Sequence, residues 1–203
     1  MKIIRDVPQG SDEWLQLRLG IPTASDFSKI VTSKGERSKT LTEYAFKLAA
    51  DTLLTEQEDS YSNKDMQRGN ELEPEAREMY QEYTFNNVEE VTFIHCGKFG
   101  YSPDGLIEDK GLLEIKCPNA TTHTKYLYED RLPTKYKAQC QGGLFCSNRD
   151  YIDFVSYHPN FKEDQKLFIK RVYRDEEFIK ALGKGLMEVI ELKEKYLKKI
   201  VKY

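Results

Sequence analysis

The chain has 203 residues, 39% of them hydrophobic and 32% charged, which excludes a disordered segment and leaves room for a real core. No apolar run approaches the ~18 residues that cross a bilayer, and the start, MKIIRDVPQGSDEW, lacks the apolar centre of a secretory leader. The expected address is therefore the cytoplasm, with no membrane partner. The formal net charge of −3 argues against a broadly basic nucleic-acid binder and leaves only a local basic groove open.

Residues 11–19 read as a short helix, with Ser11 as N-cap, Trp14, Leu15 and Leu17 as its apolar face, and Gly20 and Pro22 after its end. Trp14 reads as a core anchor. Thr23-Ala24-Ser25 opens a second helix over 25–33, with Ser25 near its N-terminus. The loop from Ser33 to Lys39 is polar and basic, carrying Lys34, Arg37 and Lys39. Helix 40–57 places Leu41, Tyr44, Ala45, Leu48 and Ala49 at helical spacing. A polar connection over 61–68 leads into helix 70–85, whose apolar side is Leu72, Ala76, Met79, Tyr80 and Tyr83. Glu73 lies one turn from Arg77 and close to that stripe.

Strands are expected at 91–95 and 98–102, and again over Tyr151–Tyr157 and Leu167–Tyr173. Helices are expected at about 121–129, 134–146 and 175–201. Tyr126 and Tyr128 suit a groove or ordinary packing equally. Lys193, Lys195, Lys198, Lys199 and Lys202 read as a solvated face of the last helix. The order predicts an α+β (mixed α/β) fold, a central mixed sheet flanked by helices. It is read as one domain over 1–203, with its core about 9–175 and a C-terminal helix after it.

The stretch from Ser102 to Pro118, SPDGLIEDKGLLEIKCP, reads as two short strands, Leu106-Ile107 and Leu112 to Cys117, about the turn Asp109-Lys110-Gly111. It carries Asp104, Glu114 and Lys116 where a hairpin favours apolar residues. Glu114 and Lys116 share one face and Ile115 points to the other. Pairing about Asp109 sets Asp104 opposite Glu114, with Cβ atoms roughly 5 Å apart. Two carboxylates that close call for a counter-charge. Hard oxygen ligands on a strand pair suit Mg²⁺. Cys96, Cys117, Cys140 and Cys146 form no CxxC pair and read as reduced, mostly buried thiols. His95, His123 and His158 are scattered and read as structural or surface residues.

Pro103-Asp104 with Glu114-Ile115-Lys116 resembles the PD-(D/E)xK nuclease signature. Three further segments narrow it. RLGIPTAS (Arg18 to Ser25) resembles the R-x-G-x-x-T-A-S box of the lambda exonuclease / YqaJ-type viral recombinase family. RGNELEPEAR (Arg68 to Arg77) is similar to its glycine–acidic helix, and YKAQCQ (Tyr136 to Gln141) to its Y-x-A-Q-x-Q helix. The boxes occur in the family's order over about 9–147, and the C-terminal third matches only in general character.

The resemblance implies a restriction-endonuclease-like core and an Mg²⁺-dependent 5′→3′ exonuclease of phage recombination type, acting on duplex DNA ends and leaving a 3′ single strand. It implies metal ligation by Asp104, Glu114, the Ile115 carbonyl and, directly or through water, Glu73, in a two-metal site where Mn²⁺ can substitute. Lys116 would orient the attacking water or stabilise developing charge. Gln139 would orient a metal-site water or the lysine. Arg18 and Ser25, assisted by Lys34 or Arg37, would meet the 5′-phosphate. A ring-shaped homotrimer and a single-strand annealing protein partner are implied as well, in a host cytoplasm if the gene is a phage's. The competing readings are a site- or structure-specific endonuclease of the same fold, and a non-catalytic DNA-end-binding module.

Overall fold

The structure, a computed structural model, describes residues 1–54 and 64–201; the expected end of one helix at 57 and residues 61–63 of the expected connection lie outside them. The strands are β1 (Lys2–Ile4), β2 (Val88–Glu89), β3 (Phe93–His95), β4 (Gly100–Tyr101), β5 (Gly105–Ile107), β6 (Gly111–Lys116), β7 (Tyr151–Tyr157) and β8 (Leu167–Tyr173). The helices are α1 (Asp12–Arg18), α2 (Leu41–Leu53), α3 (Lys64–Thr84), α4 (Ala120–Glu129), α5 (Lys137–Ser147) and α6 (Glu176–Ile200). This is the expected mixed α+β architecture. A five-stranded sheet runs β2-β5-β6-β7-β8, parallel only between β6 and β7, and a small antiparallel sheet runs β1-β3-β4. No described helix is long and apolar enough to cross a membrane.

Alternation along the strands divides the core. Leu106, Leu112, Ile152 and Phe154 face one cluster with α2, α5 and α6. Ile107, Leu113, Ile115, Val155 and Tyr157 face the other, beneath Ala76 and Tyr80 of α3. A strand buried on both faces has no place for charge on apolar grounds. β6 is the middle strand of the five, yet it carries Glu114 and Lys116.

Several expectations are corrected. The helix expected over 25–33 is a six-residue 3₁₀ helix, Ala24–Lys29. Ala24, Phe27 and Ile30 recur every third residue, the 3₁₀ period, and all three are buried. Helix α3 starts at Lys64 instead of 70 and runs through Pro74. The proline has no N–H to give to the Asn70 carbonyl one turn back. β1, not anticipated, pairs with β3. Cys96 and Cys146 are joined in a disulfide with Cα atoms 5.9 Å apart, whereas Cys117 and Cys140 are buried free thiols. Lys193 is not purely solvated, since it donates to the Gly20 carbonyl at 2.6 Å, beyond the end of α1.

Helix α5 reaches the sheet because Gly142 and Gly143 face aromatic rings. A Cβ at 142 would lie 2.2 Å from the Phe27 ring, and one at 143 would lie 2.7 Å from that of Tyr101. Phe27 is fully buried and has nowhere to move. Gly142→Ala is expected to cost about 1–3 kcal/mol through overpacking. That corresponds to a fall in Tm of about 2–4 °C per kcal/mol, read by calorimetry. An unchanged Tm would show that the 3₁₀ helix moves aside freely.

Candidate active site

Strands β5 and β6 pair Gly105 with Leu113 and Ile107 with Gly111. One more step along this register sets Asp104 across from Glu114, as the sequence predicts. The turn is made by Glu108, at φ 43°, with Asp109 and Lys110. The Asp104 carboxylate accepts the Ile115 N–H at 2.6 Å, and its own N–H donates to the Leu113 carbonyl at 3.2 Å. Glu114 is 1% exposed. One of its oxygens accepts the Tyr101 hydroxyl at 2.8 Å; the other accepts both the Lys116 ammonium and the Gln139 amide, the latter at 2.5 Å.

Helix α3 supplies Glu73 and Arg77. Arg77 donates to Glu73 at 2.6 Å and, through Nε, to the Asp104 carbonyl at 3.0 Å, with Glu90 at 2.7 Å as its third partner. It therefore ties the helix to the backbone of Asp104. Arg68 does the same one strand-end further on, donating to the Cys117 and Pro118 carbonyls. Glu73, Asp104, Glu114, Lys116 and Gln139 all line one cleft of about 500 Å³, together with Asn70 and Arg18.

Arg18 lies at the edge of this cleft. It donates to Ser102 at 2.9 Å and to Ser25 at 3.4 Å, and its guanidinium sits 4.1 Å from the Trp14 ring. The Trp14 indole N–H also donates to Ser102, at 3.1 Å. Trp14 is thus a support for Arg18 and not the core anchor expected. Ser25 is the second residue of a short 3₁₀ helix, so the expected α-helical N-terminus is absent there. Lys34 and Arg37 do not join the group. Lys34 is an exposed loop residue, and Arg37 is committed to Glu188 at 2.8 Å and Thr42 at 3.1 Å. The residues missed from sequence are Tyr101, Ser102 and Arg68. Arg68 and Ser102 open the stretches RGNELEPEAR and SPDGLIEDKGLLEIKCP, and Tyr101 lies just before the second, but their roles depend on partners brought from elsewhere in the chain.

Burial sets the electrostatics. It raises the Asp104 carboxyl well above the usual carboxylate range, and the Glu114 charge raises it further, with Lys116 opposing. Glu73 is raised as well, chiefly by burial against the pull of Arg77. Burial opposes the charge on Lys116, but Glu114 and Asp104 outweigh it, and its pKa is raised. Enclosure pushes the Cys117 thiol up to about 12, so it is no thiolate nucleophile.

The sequence profile of the YqaJ-like viral recombinase domain matches residues 13–150, a span that holds the cleft carboxylates, Lys116, Gln139 and Arg18. The chain belongs to the YqaJ-like viral recombinase family. Its fold is similar to the crystal structure of an alkaline exonuclease, LHK-Exo, from Laribacter hongkongensis, at 34% identity and a TM-score of 0.87, covering 95% of this chain and 97% of that one. A structure of LHK-Exo in complex with dAMP matches equally well. A phage related exonuclease from Haemophilus somnus 129PT shares the fold at 17% identity, with a TM-score of 0.74 over 91% of this chain and 98% of that one. A comparison with curated proteins found no match.

The cleft of this YqaJ-like chain suits a hard divalent cation. Among the described residues no three His, Cys, Asp or Glu side chains form a metal cluster. What the cleft offers is two opposed carboxylates, Asp104 and Glu114, and the Ile115 carbonyl next in sequence to Glu114. Mg²⁺ typically needs no more, keeping water on its other positions. The elevated Asp104 carboxyl is a sign of the fit, because this half-buried carboxylate and the buried Glu114 share a single nearby ammonium.

Proposed function

We propose that this protein is an Mg²⁺-dependent 5′→3′ exonuclease that hydrolyses phosphodiesters from 5′-phosphorylated duplex DNA ends and leaves a 3′ single strand. The observation that carries the reading is the convergence of Asp104, Glu114, Lys116, Gln139 and Glu73 in the cleft that Arg18 borders. The likeness to the alkaline exonuclease LHK-Exo supports it.

Asp104, Glu114 and the Ile115 carbonyl would hold the ion, and Glu73 would serve a second one, directly or through water; Mn²⁺ would substitute. The bound ions supply an activated water and neutralise charge on the phosphoryl and leaving oxygens. Lys116, drawn toward its charged form by both carboxylates, acts as a hydrogen-bond donor to the attacking water or the phosphoryl oxygens. Gln139 donates to the same Glu114 oxygen as Lys116 and so fixes which way that carboxylate turns. Tyr101 fixes its other oxygen. Arg18 and Ser25 take the terminal 5′-phosphate, a charge-assisted contact that selects an end. A ring-shaped homotrimer with a basic channel reconciles the −3 net charge with a DNA substrate. A single-strand annealing protein is the natural recipient of the 3′ strand.

The test is digestion of linear and closed-circular duplex with Mg²⁺, using 5′-phosphate and 5′-hydroxyl ends. Linear DNA alone should be degraded, faster from phosphorylated ends. Nicking of circles would favour the endonuclease, and end binding without nucleotide release would favour the binding module. Arg18→Ala should cut the rate on phosphorylated ends by about 10–100-fold, the worth of a charged hydrogen bond, and leave hydroxyl ends little affected. An unchanged ratio between the two ends would remove Arg18 from the phosphate site.

A further inference from the structure

A second cavity, of about 360 Å³, lies between α4 and the segment leading into α5. It shares Thr122 and Lys135 with the catalytic cleft, so the two are adjoining. Its charged lining is Lys125, Arg131 and Lys135 against one carboxylate, Glu129. Glu129, half-buried, meets the exposed Lys125 at 3.7 Å and the exposed Arg131 at 3.4 Å, long contacts that bind weakly. Lys135 makes no ion pair with a described carboxylate. Its ammonium lies 4.8 Å from the centre of the Tyr136 ring, and the Lys116 ammonium approaches the same ring at 5.6 Å. Lys116 and Lys135 thus both approach the one ring of Tyr136.

Tyr126 also lines this cavity. It is 4% exposed, and its hydroxyl, close to the Lys135 ammonium and the Tyr136 hydroxyl, makes no well-formed hydrogen bond. A buried hydroxyl left unpaired costs stability unless something else supplies the partner. The other flank of the cleft makes an instructive contrast. Tyr44 is likewise buried with an unpaired hydroxyl, but its cavity sets Asp26 and Asp51 against Arg18 and Lys47 and so has no excess of cations.

We propose that the cavity between α4 and α5 binds a backbone phosphate of the DNA strand lying in the catalytic cleft, with Lys135 and Arg131 as its cations and the Tyr126 hydroxyl as a hydrogen-bond donor. The proposal rests on the nuclease reading above. It extends the DNA path past the scissile bond on the side away from Arg18, and it assigns the class of ligand, a phosphodiester, without assigning a base.

The test is binding of a 5′-phosphorylated duplex oligonucleotide with a 3′ overhang to the full chain, with Ca²⁺ in place of Mg²⁺, over a series of salt concentrations. Each lost phosphate contact reduces the slope of log K against log salt by about 0.7–0.9. Lys135→Ala and Arg131→Ala should each show that reduction. Tyr126→Phe should keep the slope, weaken binding severalfold, and leave Tm equal or higher because an unpaired hydroxyl has been removed. Unchanged slopes in both cation variants overturn the proposal. So does a Tyr126→Phe variant with a lower Tm and unaltered affinity. Wild-type protein that binds the duplex in Ca²⁺ but releases no nucleotide in Mg²⁺ overturns the nuclease reading, while the slopes still decide the phosphate site.

Discussion

Asp104→Asn is expected to lower DNA hydrolysis by about a thousandfold and, at the same time, to raise the Tm of the protein in EDTA. The first effect follows from losing one of two carboxylates that hold the ion, since metal-assisted charge stabilisation is worth several kcal/mol and each ~1.4 kcal/mol is tenfold in rate. The second follows from the cost of the site. Without metal, Asp104 has burial and the Glu114 charge acting against its charged form, which Lys116 and the Ile115 N–H only partly offset. Its folded pKa is raised, so the folded state binds the proton more tightly than the unfolded chain. Stability therefore falls as pH climbs from the unfolded value near ~3.9 toward the folded one. Asparagine keeps the shape and an oxygen to accept the Ile115 N–H without the charge. The Tm gain should be largest at neutral and alkaline pH and shrink toward acid, at about 2–4 °C per kcal/mol. Added Mg²⁺ should raise the wild-type Tm and leave the variant's unchanged. A variant that melts lower than wild type in EDTA at neutral pH would show that Asp104 is a structural acceptor and not a site carboxylate.

Lys116→Met is expected to behave in the opposite way in every respect but one. Activity should fall by about 10²–10³-fold, the usual loss when a donor to developing charge is removed. Tm in EDTA should fall as well, because Glu114, 1% exposed, loses its cation and keeps only Tyr101 and Gln139. The Lys116 pKa is raised, so the stability it contributes is fully present below the unfolded lysine value of ~10.4. The deficit should accordingly be flat across neutral pH, unlike the Asp104 effect. The Mg²⁺-dependent gain in Tm should persist, since Lys116 is no ligand and its removal leaves two carboxylates to a single ion. Loss of that gain would mean that Lys116 is needed to shape the metal site, and that its role is not confined to the reaction. Activity assays with calorimetry in EDTA and in Mg²⁺ separate the two variants.

The sequence by itself determined the last two strands, the last helix and the hairpin. Tyr151–Tyr157 and Leu167–Tyr173 are strands with the expected bounds, and α6 differs by one residue at each end. These segments have clear periodicity, and their neighbours in space reinforce it. The Asp104–Glu114 pairing was legible because a hairpin's register is set by its own turn. Residues from all four boxes line one cleft, and each box is a short contiguous pattern.

What only the tertiary structure decided is everything that depends on residues far apart. The alternation of β6 does not say that it is the middle strand, so the near-complete burial of Glu114 could not be read from it. Thr23-Ala24-Ser25 reads as an α-helix start, but Phe27 had to fit against Gly142, and packing against α5 selected the tighter 3₁₀ turn. Cys96 and Cys146 are 50 residues apart and meet only because α5 ends beside β3. The resemblance offered Lys34 or Arg37 as an aid to the phosphate, yet α6 brought Glu188 to Arg37. Helical spacing places Arg77 one turn from Glu73, but the chain just before β5 also brings the Asp104 carbonyl to its Nε. Side-chain partners are set by distance in space, and a loop's basic composition cannot state which distant carboxylate will reach it.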